Sequence, residues 1–129
     1  MEGSGFRDLK VYQKAYASAV RIFQLSKHFP ATEVYSLTSQ IRRSSRSICA
    51  NLAEAYRKRR YPNHFVSKLS DCDAECAETT VHLDFSLDCG YLNATDHKAL
   101  LSDYTQVGKM LEAMMRDPGK FAPKLPTAN

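Results

Sequence analysis

Apolar residues recur every three or four positions in four long stretches of the chain, a spacing that predicts amphipathic α-helices. The stretches cover, in order, residues 8–28, 33–60, 62–89 and 95–116. No stretch alternates apolar and polar residues in the way that a half-buried strand requires. The connections are as short as three or four residues, so consecutive helices must be antiparallel neighbours. We therefore predict an all-α fold, an antiparallel up-down-up-down four-helix bundle.

Each stretch has one apolar seam that we predict to face the core. The seam residues are Leu9, Tyr12, Tyr16, Ala19, Phe23 and Ser26 in the first stretch, widened by Ala15 and Ile22; Val34, Leu37, Ile41, Ser45, Ile48, Leu52 and Tyr56 in the second; Phe65, Leu69, Cys72, Cys76, Thr79, Leu83 and Leu87 in the third; and Leu100, Tyr104, Val107, Leu111 and Met114 in the fourth. Asp8 and Thr95 are candidate N-caps, and Gly90 suits the position after a helix end.

The third stretch carries a second apolar stripe, roughly opposite its seam. The stripe consists of Ala74, Ala77, Val81 and Phe85. One bundle cannot bury both sides of a helix, and a contiguous exposed apolar strip is uncommon on a monomer. We therefore predict that these four residues form the interface of a homo-oligomer.

The chain has 129 residues, 43% of them hydrophobic, which is the range of one soluble globular domain. We assign residues 1–116 to the bundle and residues 117–129, with three prolines, to a flexible tail. No run of residues is apolar enough to cross a bilayer, and the amino terminus is unlike a secretory signal. We expect a cytoplasmic protein with no membrane association.

The net charge of +4 conceals a strong separation of charge. Residues 33–60 hold seven Lys or Arg and two Glu, whereas residues 62–89 hold one Lys and six Asp or Glu. Projected onto a helix, five arginines of the second stretch share one flank. The candidate nucleic-acid-binding residues are Arg42, Arg43, Arg46, Arg57, Lys58 and Arg60. Either this row stays open and binds phosphates, or it pairs with the acidic third helix within or between subunits.

The sequence contains no motif of a known catalytic or cofactor site. It has no Gly-rich phosphate loop, nucleophile elbow, paired-histidine metal motif or kinase signature. Cys72 and Cys76 are four residues apart, but this is not the spacing of a common zinc site, and packing in the core explains them better. We expect a non-enzymatic protein with no catalytic residue, no cofactor and no metal.

Several motifs, taken together, resemble the S23-like proteins encoded in intervening sequences of bacterial 23S rRNA genes. They are Phe-Pro-x-x-Glu at residues 29–33, Gln-Ile-Arg-Arg at residues 40–43 and Asn-Leu-Ala-Glu at residues 51–54, in that order. The resemblance extends from Phe6 to about Met115. The positions that match polar sites typical of the family are Gln40, Arg42, Arg43, Asn51, Glu54 and Glu78.

This resemblance implies a four-helix bundle that assembles into ring-like homopentamers. A related accessory protein of diversity-generating retroelements binds nucleic acid and a reverse transcriptase, so RNA or DNA and a nucleic-acid-processing protein are the implied partners. The sequence departs from the family where Ala55 and the pair Ala74-Glu75 replace residues that are often glycine and Gly-Ser. An interaction module without nucleic-acid binding is the alternative function.

Overall fold

The computed structural model describes residues 5–124, and within that range it is helical with no strand. The helices are α1, Lys10–Ser26; α2, Leu37–Arg57; α3, Pro62–Asp88; and α4, Ala94–Arg116. Helix α2 packs against α1 and α3, and α4 packs against the same two helices. The predicted all-α four-helix bundle is confirmed. Residues 1–4 and 125–129, which the sequence assigns to the bundle and to the tail, lie outside the described range.

The seams predicted for α2, α3 and α4 form most of the core. All five predicted residues of α4 are buried, and six of the seven in α3 are buried, with Leu87 partly exposed. In α2, Ile41, Ser45, Ile48 and Leu52 are buried as predicted. Leu37 and Tyr56 are only partly buried, and Val34, which precedes the helix, is 46% exposed. The 3.6-residue period located these seams because the apolar residues of each seam recur on one side of its helix.

The seam of α1 is rotated from the predicted one. Its buried residues are Val11, Ala15, Ser18, Ala19, Ile22 and Ser26. Tyr16, predicted to lie in the core, is 55% exposed, and Tyr12 and Phe23 are only partly buried. The large aromatic residues lie at the edge of the contact between α1 and its neighbours.

Helix α2 begins four residues later than predicted, because a 3-10 turn, Ala31–Glu33, follows Pro30. The Glu33 carboxylate accepts hydrogen bonds from the Ser36 hydroxyl, the Leu37 backbone N–H at 3.3 Å and the Tyr91 hydroxyl at 3.0 Å. These hydrogen bonds, that of Ser36 first, lower the pKa of Glu33. Glu33 therefore connects the start of α2 to the α3–α4 turn.

The other helix ends follow general capping rules, with two corrections. Asn93, not Thr95, caps α4, and its side chain accepts a hydrogen bond of 2.7 Å from the Asp96 N–H. Leu9, not Asp8, is the N-cap residue of α1, because Asp8 belongs to a preceding 3-10 turn, Gly5–Asp8. Gly90, with φ of +79°, ends α3 in the left-handed conformation that glycine favours, as predicted.

The predicted flexible tail begins with ordered structure. Residues Pro118–Phe121 form a 3-10 turn that contacts α3 and α4. The Phe121 ring packs against the buried Phe65 ring, with 5.7 Å between the centroids. The apolar contact of Phe121 holds the chain against the bundle beyond residue 117, which the proline content did not indicate.

We predict that Leu69→Ala lowers the free energy of unfolding by about 2–5 kcal/mol, because it leaves a cavity where a fully buried side chain packs. Ser67→Ala, an exposed position on the same helix, should change it by less than about 0.5 kcal/mol. Urea denaturation followed by circular dichroism measures both. Equal effects of the two substitutions would contradict the assignment of the α3 seam.

Candidate nucleic-acid and subunit interfaces

The six basic residues proposed from sequence do not form one open flank. Helix packing divides them into three groups, each with different neighbours. Arg43 lies against α3, Arg42 and Arg46 lie against α1, and Arg57, Lys58 and Arg60 lie at the carboxyl end of α2. The exposure and partners of each group decide which residues are available to a ligand.

Arg43 pairs with acidic residues of α3. Its guanidinium donates to Glu75 at 3.1 Å and also to Glu78, whose carboxylate lies 3.2 Å from the His82 ring. Burial raises the pKa of Glu78, but the hydrogen bonds from His82 and Arg43 more than offset it, so that pKa is lowered overall. Acidic residues of α3 therefore engage Arg43 in the α2–α3 contact, as expected if the basic residues of α2 pair with the acidic third helix.

Arg42 and Arg46 stack on an aromatic ring of α1. Their guanidinium carbons lie 4.7 and 5.5 Å from the centroid of the Phe23 ring, and the Lys27 ammonium lies 4.9 Å from it. Arg42 also donates a hydrogen bond of 2.8 Å to the Ser26 hydroxyl. Three cations thus surround one partly buried ring, and the flank between α1 and α2 is both apolar and basic.

The carboxyl end of α2 leaves its basic residues open to water. Arg57, Lys58 and Arg60 are exposed, and no ion pair within residues 5–124 engages them. Arg59 differs, since its guanidinium stacks 4.0 Å from the Tyr56 ring centroid and donates to the Tyr56 carbonyl. Helix α2 ends at Arg57, so Lys58 and Arg60 belong to the turn rather than to a helical row.

The two ends of the bundle differ strongly in charge. The end that holds the start of α1, the α2–α3 turn and the end of α4 consists of residues 5–10, 57–64 and 113–124, with nine Lys or Arg and two Asp. We call it the basic end. The opposite end, residues 23–40 and 85–98, holds two Lys and three Asp or Glu. A polyanion would therefore meet its strongest attraction at the basic end.

The predicted interface stripe of α3 is exposed. Val81 is 49% exposed and Phe85 is 59% exposed, and Ala74 and Ala77 are also exposed. We call these four residues the α3 face. No residue between 5 and 124 covers this apolar surface, which is the condition that the predicted homo-oligomer requires.

A second apolar surface lies between α1 and α2. Tyr16 and Val20 are 55% and 44% exposed and lie beside a cavity of about 380 Å³. Its lining residues are Tyr16, Ala19, Val20, Phe23, Arg46 and Cys49. We call this surface the α1–α2 groove. Helices α1 and α3 lie diagonally across the bundle, so the groove and the α3 face point in different directions.

Three of the four cysteines are buried or partly buried, and Cys89 is exposed. Cys72 and Cys76 are buried in the seam of α3, as the sequence predicts. Burial raises the pKa of Cys49 and Cys76 to about 11 and that of Cys72 to about 12, so these thiols stay protonated at neutral pH. Within residues 5–124, no three His, Cys, Asp or Glu side chains are arranged to hold a metal ion. No helix in that range is long and apolar enough to span a bilayer.

The fold and its surfaces define a four-helix-bundle protein with a basic end and two exposed apolar faces. The profile of the family described as 23S rRNA-intervening sequence protein matches residues 7–113, and the chain therefore belongs to this family. The sequence resemblance is confirmed.

A solved structure is also similar to the chain. It is the crystal structure of a protein of unknown function from the S23 ribosomal protein family of Bacteroides thetaiotaomicron. The two proteins are 28% identical with a TM-score of 0.74, and the match covers 82% of this chain and 98% of the other. No curated protein matches the chain.

We predict that the ion pair between Arg43 and Glu78 stabilises the fold by about 0.2–1 kcal/mol at pH 7. A double-mutant cycle of Arg43→Gln and Glu78→Gln measures this coupling energy. The pKa of Glu78 is lowered in the folded protein, so this contribution is present above the usual value of 4.5. It should be lost as the pH falls through the folded-state pKa. Urea denaturation at pH values from 7 downward measures the coupling, and its absence at pH 7 would contradict the pairing.

Proposed function

We propose that this chain is a non-enzymatic cytoplasmic protein that binds RNA or DNA through its basic end and works as a homo-oligomer. The observation that carries the proposal is the excess of nine Lys or Arg over two Asp at that end, where Arg57, Lys58 and Arg60 are exposed. Arg43 is left out of the binding surface because Glu75 and Glu78 engage it.

Phosphate oxygens are the ligands that suit this surface. Exposed guanidinium and ammonium groups bind them through charge and hydrogen bonds, and each contact releases a condensed counterion from the nucleic acid. Such contacts carry no sequence information, so the protein should bind many sequences with similar affinity. A ring of subunits would present several basic ends to one strand and raise the affinity by multivalency.

We predict that replacing Arg57, Lys58 and Arg60 by Gln weakens nucleic-acid binding and makes it less sensitive to salt. On a single strand, each lost phosphate contact should reduce the slope of log K against log salt by about 0.7, so three contacts reduce it by about 2. Fluorescence anisotropy between about 50 and 200 mM salt measures the slope. Arg43→Gln is the matched control and should leave it unchanged.

Two results would contradict this part of the proposal. In one, the unmodified protein fails to bind RNA or DNA at low salt. In the other, the triple variant retains the affinity and slope of the unmodified protein. Either result would favour the alternative function, an interaction module that does not bind nucleic acid.

The homo-oligomer is supported by the chemistry of the two apolar surfaces. The α3 face carries Val81 and Phe85 close to the exposed Asp88, whereas the α1–α2 groove is bordered by Arg42 and Arg46. An apolar side chain in the groove would therefore bring opposite charges together at its border. We propose that the α3 face of one subunit occupies the α1–α2 groove of the next.

A contact between two different faces joins subunits head to tail and closes into a ring when the rotation between neighbours permits. Five subunits is the number that the family resemblance implies. In this arrangement Arg42 and Arg46 serve the subunit contact, and Arg57, Lys58 and Arg60 serve the nucleic acid. A nucleic-acid-processing protein is the partner we propose for such a ring.

We predict that Val81→Asp and Val20→Asp each dissociate the oligomer, because each places a charge in an apolar contact. Light scattering and circular dichroism should show smaller particles with helical content unchanged. Thr105→Asp, on the exposed side of α4, is the control and should leave the assembly intact.

The mixture of these two variants distinguishes a head-to-tail contact from a symmetric one. The Val81→Asp chain retains its groove and the Val20→Asp chain retains its α3 face, so the pair has one intact contact. Mixing should give a heterodimer and nothing larger. The homo-oligomer proposal fails if the unmodified protein is monomeric at micromolar concentration, and the head-to-tail arrangement fails if the mixture does not associate.

A further inference from the structure

An exposed tyrosine stands in the middle of the basic end. Tyr61 is the last residue of the α2–α3 turn, directly before α3, and 56% of it is exposed. Its ring meets the His64 ring edge-on, with 5.9 Å between centroids and 74° between planes. Tyr61 therefore has one aromatic neighbour and a large surface open to solvent, although the bundle has an apolar core in which such a ring is normally buried.

A cavity opens beside this ring. It has a volume of about 240 Å³ and is lined by Lys58, Tyr61 and His64. Pockets that enclose a whole small molecule have volumes of about 300–1,000 Å³, so this one suits a single planar ring system that stays attached to a larger molecule outside. The lining combines two aromatic rings with one ammonium group.

Tyr61 differs from the nearby Tyr56, whose ring already contacts a cation. The Tyr56 ring is covered by the Arg59 guanidinium, which also donates a hydrogen bond of 3.0 Å to the Tyr56 carbonyl. Tyr61 has no such cation stacked on it among the described residues. The exposed side chains of Lys58 and Arg60 lie within three positions of it in the same turn.

We infer that Tyr61, His64 and Lys58 form a stacking subsite for an unpaired base of a single-stranded nucleic acid. The inference rests on the proposed function, because the neighbouring cations must hold the strand by its phosphates. A base in a duplex is paired and stacked on its neighbours, so only an unpaired base can lie against the Tyr61 ring. Every base has an aromatic face, and the subsite is therefore tolerant of sequence.

The test compares an oligouridylate and an oligothymidylate of about 12 nucleotides with a duplex of the same length, by fluorescence anisotropy. Tyr61→Leu should weaken binding of both single strands about tenfold and leave duplex binding unchanged. Tyr61→Phe should retain binding within about twofold, because the ring is kept. Tyr35→Leu is the control, since Tyr35 is 93% exposed at the opposite end of the bundle.

A direct measurement of stacking is available because the chain contains no tryptophan. In the Tyr61→Trp variant, the introduced indole is the sole tryptophan fluorophore, and an unpaired base stacked on it should quench its emission. The duplex should quench it much less. Comparison of the oligouridylate with an oligodeoxyuridylate, which differs from it only at the 2′ position, identifies the preferred sugar.

The outcomes separate this inference from the proposed function. If Tyr61→Leu leaves single-strand binding unchanged, or weakens duplex and single strand equally, the stacking subsite is wrong and the proposed phosphate binding stands. An equal loss with Tyr35→Leu, or the absence of quenching with Tyr61→Trp, also overturns the subsite. If the unmodified protein binds none of the three ligands, the proposed function fails and the subsite with it.

Discussion

Antiparallel packing of four helices is the constraint on which the other features depend. Each helix has an apolar seam that can be buried only against its neighbours, and short connections require the direction to alternate. Alternation brings the start of α1, the α2–α3 turn and the end of α4 to one end of the molecule. Charges that are distant in sequence therefore accumulate there, and the basic end is a consequence of topology rather than of any single helix.

The same packing decides which charges are neutralised. Helix α3 holds six Asp or Glu between Asp71 and Asp88, and α2 is its most extensive neighbour. Arg43 faces α3 and pairs with Glu75 and Glu78, whereas Arg57 lies at the end of α2 and faces water. A buried hydroxyl pair, Ser44 and Thr79 with 2.9 Å between oxygens, lies within the same contact. Small side chains at this pair allow the two helices to approach closely.

Much of the fold could be predicted from sequence, because burial of one side of a helix makes apolar residues recur every three or four positions. The seam of α4 was predicted completely for this reason. The seam of α1 was predicted only in part, since Tyr16 and Phe23 have the spacing of core residues but lie about 100° around the helix axis from the buried Ala15 and Ile22. Periodicity alone does not fix that rotation when a helix has apolar residues on more than half of its circumference.

The candidate interfaces were harder to predict, because contacts between helices determine which charged side chains remain accessible to a ligand. Arg42 and Arg43 are adjacent in sequence, yet one stacks on Phe23 of α1 and the other pairs with α3. A single helix over residues 33–60 also adds Lys58 and Arg60 to the predicted basic row, whereas α2 ends at Arg57. The stripe of α3 was found because its apolar residues have no place in the core. The groove could not be predicted, because the spacing of Tyr16, Ala19 and Phe23 places them in the seam of α1.

Hydrogen-exchange mass spectrometry with and without an oligouridylate tests most directly which surface of the protein binds nucleic acid. Slower exchange is expected in peptides that cover residues 57–64 and 113–124, at the basic end. Peptides that cover residues 37–46, where Arg42 and Arg43 lie, should exchange at the same rate with and without the ligand. Protection centred on residues 37–46, with none at residues 57–64, would contradict this account.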